Sequence, residues 1–163
     1  MNFVNYSVFI CLTILFIGCN NSKEISKQNN KTEENPISVD YIVVDDGVLY
    51  GAGQEGLDSG YKIARNEEEF LAILEKMQLK DVKISSHSDL VFEESMYVFL
   101  FDKVRNTGAY KFEVINILKS ENEIIIETKS KAPDDNAPSV ITQPYLIIKM
   151  KKNNSSINYK TIE

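Results

Sequence analysis

Cysteine is nearly absent from this chain, with only Cys11 and Cys19 among its 163 residues. Both fall close to the N-terminus, so a chain processed there keeps no thiol pair for a disulfide, a zinc site or a thiol nucleophile. Histidine is scarcer still, with His87 alone. The run Ser86-His87-Ser88-Asp89 does not make it catalytic, because triad members converge from separate elements and sequence neighbours cannot take those positions. Basic excess is missing too: the formal net charge is −6, with acidic residues interspersed among lysines. A surface that must meet phosphates needs the opposite balance, which argues against a nucleic-acid partner. The apolar run from Val8 to Gly18 is also too short to span a bilayer, which takes roughly 20 residues. No internal repeat is visible.

What is present at the N-terminus reads as an address. An uncharged stretch ends in Leu15-Phe16-Ile17-Gly18-Cys19 and gives way to a polar, Asn-rich segment. Its position matches a secretory signal, and the Gly-Cys pair resembles the bacterial lipoprotein signal, whose cysteine is acylated, palmitate included, and becomes the new N-terminus. Residues 1–18 are then the signal peptide and Cys19 the lipidated residue. An ordinary signal peptide or an uncleaved anchor is the alternative. Residues 19–36 hold Asn, Ser, Lys, Glu, Gln and Thr with Ile25 the one aliphatic side chain after the cysteine, too little apolar surface to order itself. They read as a tether with a span of roughly 20 to 25 Å. Residues 37–163 remain as a single domain of about 125 residues, a size that suffices for one core.

Within that domain the pattern is mostly β. Met96 to Phe101 is apolar on both faces, as in a central strand. Arg105-Asn106-Thr107-Gly108-Ala109 reads as a tight turn, and Tyr110 to Val114 alternates like a strand with one face in the core. The spacing predicts that these two strands form a hairpin. Ser38 to Asp45 reads as a strand, Asp46-Gly47 as a hairpin turn and Val48 to Tyr50 as the returning strand. Gly51-Ala52-Gly53-Gln54-Glu55-Gly56 spells the glycines of a dinucleotide loop, but no helix opens after it, so an irregular connection is expected.

One helix is expected after Asn66. That residue suits the N-cap, Glu69 sits where a capping box places its acid, and Phe70, Leu71, Leu74 and Met77 form an apolar stripe on a helix ending near Leu79. Glu121-Asn122 marks a turn before a strand from Glu123 to Lys129. Ala132 to Pro138 is a proline-bracketed loop, and Asp134-Asp135-Asn136 in it lacks the staggered oxygens that calcium requires. Tyr145 to Met150 is a second strand apolar on both faces, and Ile157 to Ile162 closes the sheet. The expected fold is α+β, mainly antiparallel β arranged as a sandwich or partly open barrel, with one packed helix.

Thr107-Gly108-Ala109-Tyr110, followed by two strands, the proline-bracketed loop and Gln143-Pro144-Tyr145-Leu146-Ile147-Ile148-Lys149, resembles the C-terminal domain of the protease complex subunit PrcB family over about residues 96–151. That family opens one strand with Thr-Gly-Gly-Tyr and a later one with Pro-Tyr; here Ala109 stands where the family has its second glycine. The resemblance implies a secreted or lipid-anchored protein of the bacterial cell envelope, on its periplasmic or cell-surface side, associated with a surface protease. It implies no catalytic residues, cofactor or metal. Thr107, Gly108, Tyr110, Pro144 and Tyr145 are the candidate binding residues, with a structural role in turn and strand as the alternative for each.

Three functions follow as expectations. The first is a non-catalytic, membrane-anchored accessory module that binds a protease or another envelope protein. The second is a peptidase inhibitor presenting loops 106–110 and 143–145, on a loop-level likeness to chagasin-like inhibitors. An enzyme comes last: it would need paired carboxylates from Asp45, Asp46, Asp134 or Asp135, and all four read as turn residues.

Overall fold

A computed structural model describes residues 35–79, 90–134 and 137–162. The signal, nearly all of the tether, Cys19, His87, Asp135 and Asn136 lie outside the described residues. Among the described residues eight strands and one helix follow in order: β1 (Ile37–Ser38), β2 (Tyr41–Leu49), β3 (Gly60–Ala64), α1 (Glu67–Met77), β4 (Ser95–Phe101), β5 (Lys111–Ser120), β6 (Glu123–Lys131), β7 (Gln143–Lys151) and β8 (Ser156–Ile162). They build two four-stranded sheets, β2-β7-β4-β3 and β1-β5-β6-β8. Every pairing is antiparallel except that of β6 with β8. No helix among the described residues is long and apolar enough to cross a membrane.

The first sheet is the middle of three layers. Because side chains alternate across a strand, Tyr97, Phe99 and Phe101 of β4 and Tyr145 and Ile147 of β7 point toward α1, where they meet Phe70, Ile73 and Met77. Met96, Val98, Leu100, Leu146, Ile148 and Met150 point the other way, onto Phe112, Ile117, Ile124 and Ile126 of the second sheet. Strands β4 and β7 are therefore apolar on both faces because both faces are covered, as expected, and the architecture is an open α+β sandwich. Between the edge strands β3 and β8 the Tyr61 hydroxyl donates to the Ile157 carbonyl at 3.0 Å, and its ring lies 6.2 Å from that of Tyr159.

The expected hairpin between β4 and β5 does not form. Strand β4 already has β3 and β7 on its two sides, and β5 joins the other sheet, pairing with β1 and β6. Burial decides it: β5 is apolar on one side only, which suits an outer layer with a solvated face, whereas β4 needs the middle layer. The second expected hairpin is absent for a different reason. The segment 38–50 splits into β1, which pairs with β5, and one long β2 that runs straight through Asp46-Gly47, pairing Gly47 with Tyr145 and bulging between Val43 and Asp45. Glu121-Asn122 does turn β5 into β6, and β8 extends the edge of the second sheet.

Helix α1 starts where expected. The Asn66 carbonyl side chain accepts from Glu69 N at 2.8 Å, while the Glu69 carboxylate accepts from Arg65 N at 2.6 Å, one residue before the cap. The first turn holds Glu67, Glu68 and Glu69 and the last holds Lys76, complementing the helix dipole. The buried stripe is Phe70, Ile73 and Met77 with Leu74 beside it; Leu71, expected in the stripe, faces out. Gln78 ends the helix in the left-handed region. Gly51 to Gly56 is an irregular connection followed by β3 rather than by a helix.

Candidate functional site

The candidate residues gather around the segment 102–110, which leaves the middle sheet after β4 and crosses to β5. Its backbone is tied to the approach of β7. Asp102 N donates to the Pro144 carbonyl at 2.9 Å, Arg105 and Thr142 exchange two backbone bonds at 2.7 and 3.0 Å, and Gly108 N donates to the Pro138 carbonyl at 3.0 Å. The Thr142 hydroxyl adds a bond to the Thr107 carbonyl at 3.3 Å. From below, the Gln143 amide donates to the carbonyls of Leu57 and Asp102 at 2.8 and 3.0 Å. Backbone groups that would otherwise be orphaned in a crossing loop are thus paired.

Sterics bear on two of the turn residues in opposite ways. A Cβ on Gly108 would stand 3.0 Å from Val140 and 3.1 Å from Pro138, so glycine permits the close approach of the two segments. Ala109 has φ of 62°, in the left-handed region that glycine occupies without cost and other residues do not. The family's second glycine corresponds to this strained position.

Charge is arranged on the same segment. The Arg105 Nε and Nη2 atoms approach Asp102 Oδ2 at 2.8 and 2.7 Å. Asp102 is only 3 % exposed, and a carboxylate buried that far requires such a partner. The Arg105 guanidinium lies 4.3 Å above the centre of the Tyr110 ring, a cation–π geometry that fixes the head of the side chain. Around this turn Val104, Val140 and Ile141 are 41 %, 36 % and 46 % exposed.

Thr107 is thus tied to Thr142, Gly108 to Pro138 and Pro144 to Asp102, all between the same two segments, but the two tyrosines are separated. Tyr110 is half-buried beneath Arg105. Tyr145 is 5 % exposed, in the core on the helix side, where its hydroxyl donates to Asp45 Oδ2 at 3.0 Å. Burial, then the charge of Asp45 and the bond to it, and last the charge of Asp46, raise the Tyr145 pKa above the ordinary phenol range. Gln143 and Pro144 are buried as well. Asp45 and Asp46 prove to be strand residues of β2 rather than turn residues, and as sequence neighbours they face opposite sides of the sheet: Asp45 is buried, Asp46 exposed. Among the described residues no group of three or more His, Cys, Asp or Glu is placed to hold a metal ion.

Sequence reasoning named Arg105 only as part of a turn and missed Asp102 altogether. The signal available was their spacing of three, an acid and a base flanking the end of an apolar strand. Gln143 was also unremarked as a core residue; a polar side chain between apolar neighbours at a strand start is the trace it leaves.

No curated protein and no solved structure matches the chain. A family model does: the one described as PrcB C-terminal covers residues 96–151. That range runs from β4 through β7 and contains the whole 102–110 crossing together with Thr107, Gly108, Tyr110, Pro144 and Tyr145. Over these residues, which supply both central strands and the tied turn between the sheets, the chain matches the PrcB C-terminal family, as its Thr-Gly-Ala-Tyr and Pro-Tyr motifs indicated.

Proposed function

We propose that this protein is a non-catalytic accessory module of the bacterial cell envelope, held at a membrane by a lipid on Cys19 and bound to a protein partner, a surface protease in the first instance, through the 103–110 turn. The observation that supports this reading most is the turn itself. Exposed Val104, Val140 and Ile141 surround an arginine stacked on a tyrosine, and the backbone beneath them is pinned by the bonds to residues 138–144. Arginine and aromatic residues are enriched at protein interfaces, and a surface that is already ordered loses little entropy when it docks.

The inhibitor reading draws less support. It asks for residues 143–145 as a presented loop, whereas Gln143, Pro144 and Tyr145 start β7 with buried side chains. The test is crosslinking and affinity purification of the full chain from solubilised membranes. A recurrent protein partner with crosslinks at residues 103–110 or 140–141 is the expected result. A chain that purifies alone, or a partner unaffected by Val140→Asp together with Ile141→Asp in a folded protein, sinks the proposal.

A further inference from the structure

The two sheets do not close on each other at the end where β4, β6 and β8 finish and β3 begins. A cleft of about 490 Å³ opens there, lined by Ser59, Lys103, Arg105, Ser130 and Thr161, with Asp102 at its base and Ile162 at its rim. That volume lies in the range of sites that hold small ligands or a short stretch of peptide.

The lining is biased toward hydrogen-bond donors. Its one acid, Asp102, is already engaged by Arg105. Arg105 spends Nε and one Nη2 hydrogen on that carboxylate, which leaves three of the five guanidinium hydrogens, and Tyr110 holds the group in place. Lys103 is exposed and makes no ion pair among the described residues. Ser130 is the most telling residue. It follows Ile124, Ile126 and Thr128 on the inner face of β6, and its hydroxyl is buried without a hydrogen-bond partner. A buried hydroxyl left unpaired costs stability, and the cleft is the space it borders. An anion bound in the cleft accepts the hydrogen bond that the Ser130 hydroxyl otherwise lacks.

We propose that this cleft is a carboxylate-binding site, taking a terminal or side-chain carboxylate of a partner polypeptide between Arg105, Lys103 and the Ser130 hydroxyl. The arrangement favours a carboxylate because the fixed, planar guanidinium edge offers parallel N–H groups that match its two oxygens. Exposed Asp58, next in sequence to the lining residue Ser59, disfavours ligands of high negative charge. This inference deepens the reading of the 103–110 turn as a partner surface and rests on it only for the source of the carboxylate.

The test is a titration of the full-length protein in detergent, followed by amide chemical shifts at constant ionic strength. Three probes are added separately: acetyl-Gly-Gly-Gly with a free C-terminus, acetyl-Gly-Glu-Gly-amide, and inorganic phosphate. Saturable shifts at Ser59, Lys103, Arg105, Ser130 and Thr161 with either peptide are expected, and which peptide gives them identifies a terminal or a side-chain carboxylate. Lys103→Gln and Ser130→Ala each weaken binding at least threefold, while Lys62→Gln, on β3 away from the cleft lining, leaves it unchanged. Absence of saturable shifts with both peptides, binding of phosphate alone, or equal affinity in the Lys103 and Ser130 variants overturns the site. A partner captured from membranes equally well by the Lys103→Gln/Ser130→Ala protein also overturns the cleft while leaving the accessory function standing; loss of that function itself shows as a chain with no recurrent partner.

Discussion

The ring of Tyr145 lies across the backbone of Gly47, so close that a Cβ added there would stand 3.0 Å from the tyrosine hydroxyl and 3.1 Å from the ring. The two residues are cross-strand partners of β2 and β7, and the bond from Tyr145 to Asp45 holds the ring over the gap. Glycine serves here as a place to rest an aromatic ring, in an extended strand.

Gly47→Ala is therefore expected to destabilise the protein by about 1 to 3 kcal/mol, the usual cost of forcing an extra carbon into a packed site. The clash involves the hydroxyl, so the cost in a Tyr145→Phe background is smaller, and the two effects do not add. Urea denaturation of the four proteins of the cycle measures this. Strict additivity refutes the contact.

Alkaline pH should weaken the fold through the same tyrosine. Its pKa is raised in the folded protein above an unfolded value of about 10. The stabilisation is whole below that unfolded value and is lost as pH rises through the folded one, because the folded state binds the proton more tightly. Tyr145→Phe is expected to cost about 1.5 to 3 kcal/mol near neutrality, the worth of a hydrogen bond to a charged group, and to show a shallower decline above about pH 10. Parallel declines in the two proteins would show that Tyr145 is not the group responsible.

Ala109→Gly is expected to stabilise the protein by about 0.5 to 1 kcal/mol. The left-handed conformation costs a residue with a Cβ roughly 1 to 2 kcal/mol, and the greater freedom of glycine in the unfolded chain returns part of that. A lower thermal midpoint for the glycine variant contradicts the assignment of φ at this turn.

The two motif tyrosines should separate when each is truncated. Tyr145→Ala removes a buried ring and is expected to cost about 3 to 5 kcal/mol. Tyr110→Ala loses a partly exposed cation–π contact worth about 0.5 to 1 kcal/mol, keeps a near-native melting temperature, and loses partner capture out of proportion to its small effect on folding. If Tyr110→Ala reduces capture only by its unfolded fraction, Tyr110 has no place in the interface.

Cys19→Ser tests the address. The variant is expected to leave the membrane fraction or to retain its signal, as judged by fractionation and by the mass of the mature protein. Normal processing with unchanged membrane association rules out the lipid.

Much of this architecture could be read from one dimension because burial leaves a periodic trace. Met96 to Phe101 and Tyr145 to Met150 are apolar at every position, and only a middle layer covers both faces. Asn66 and Glu69 marked the helix start because capping is local. The failures share the opposite cause. Asp46-Gly47 looks like a turn from its own chemistry, yet the glycine answers to a ring 98 positions away in sequence, and Asp45 answers to the same residue. Tyr110 and Tyr145 open matching motifs, but which layer each strand enters decides whether the ring meets solvent or core, and strand pairing is a tertiary outcome. The Arg105–Asp102 pair was within reach of spacing alone. The cleft was not, since its lining comes from four separate strand ends.

The order in which the chain visits its sheets bears on how it can be made. Strands β2, β3 and β4 belong to one sheet, β5 and β6 to the other, then β7 returns to the first and β8 to the second. Among the described residues β2 has β7 as its sole ladder partner, so a ribosome that has delivered only residues up to Pro138 has produced a middle sheet with one of its two central strands missing. Contacts so distant in sequence are slow to form. The middle sheet therefore stays incomplete, and β2 without a ladder, until residues 143–151 have emerged.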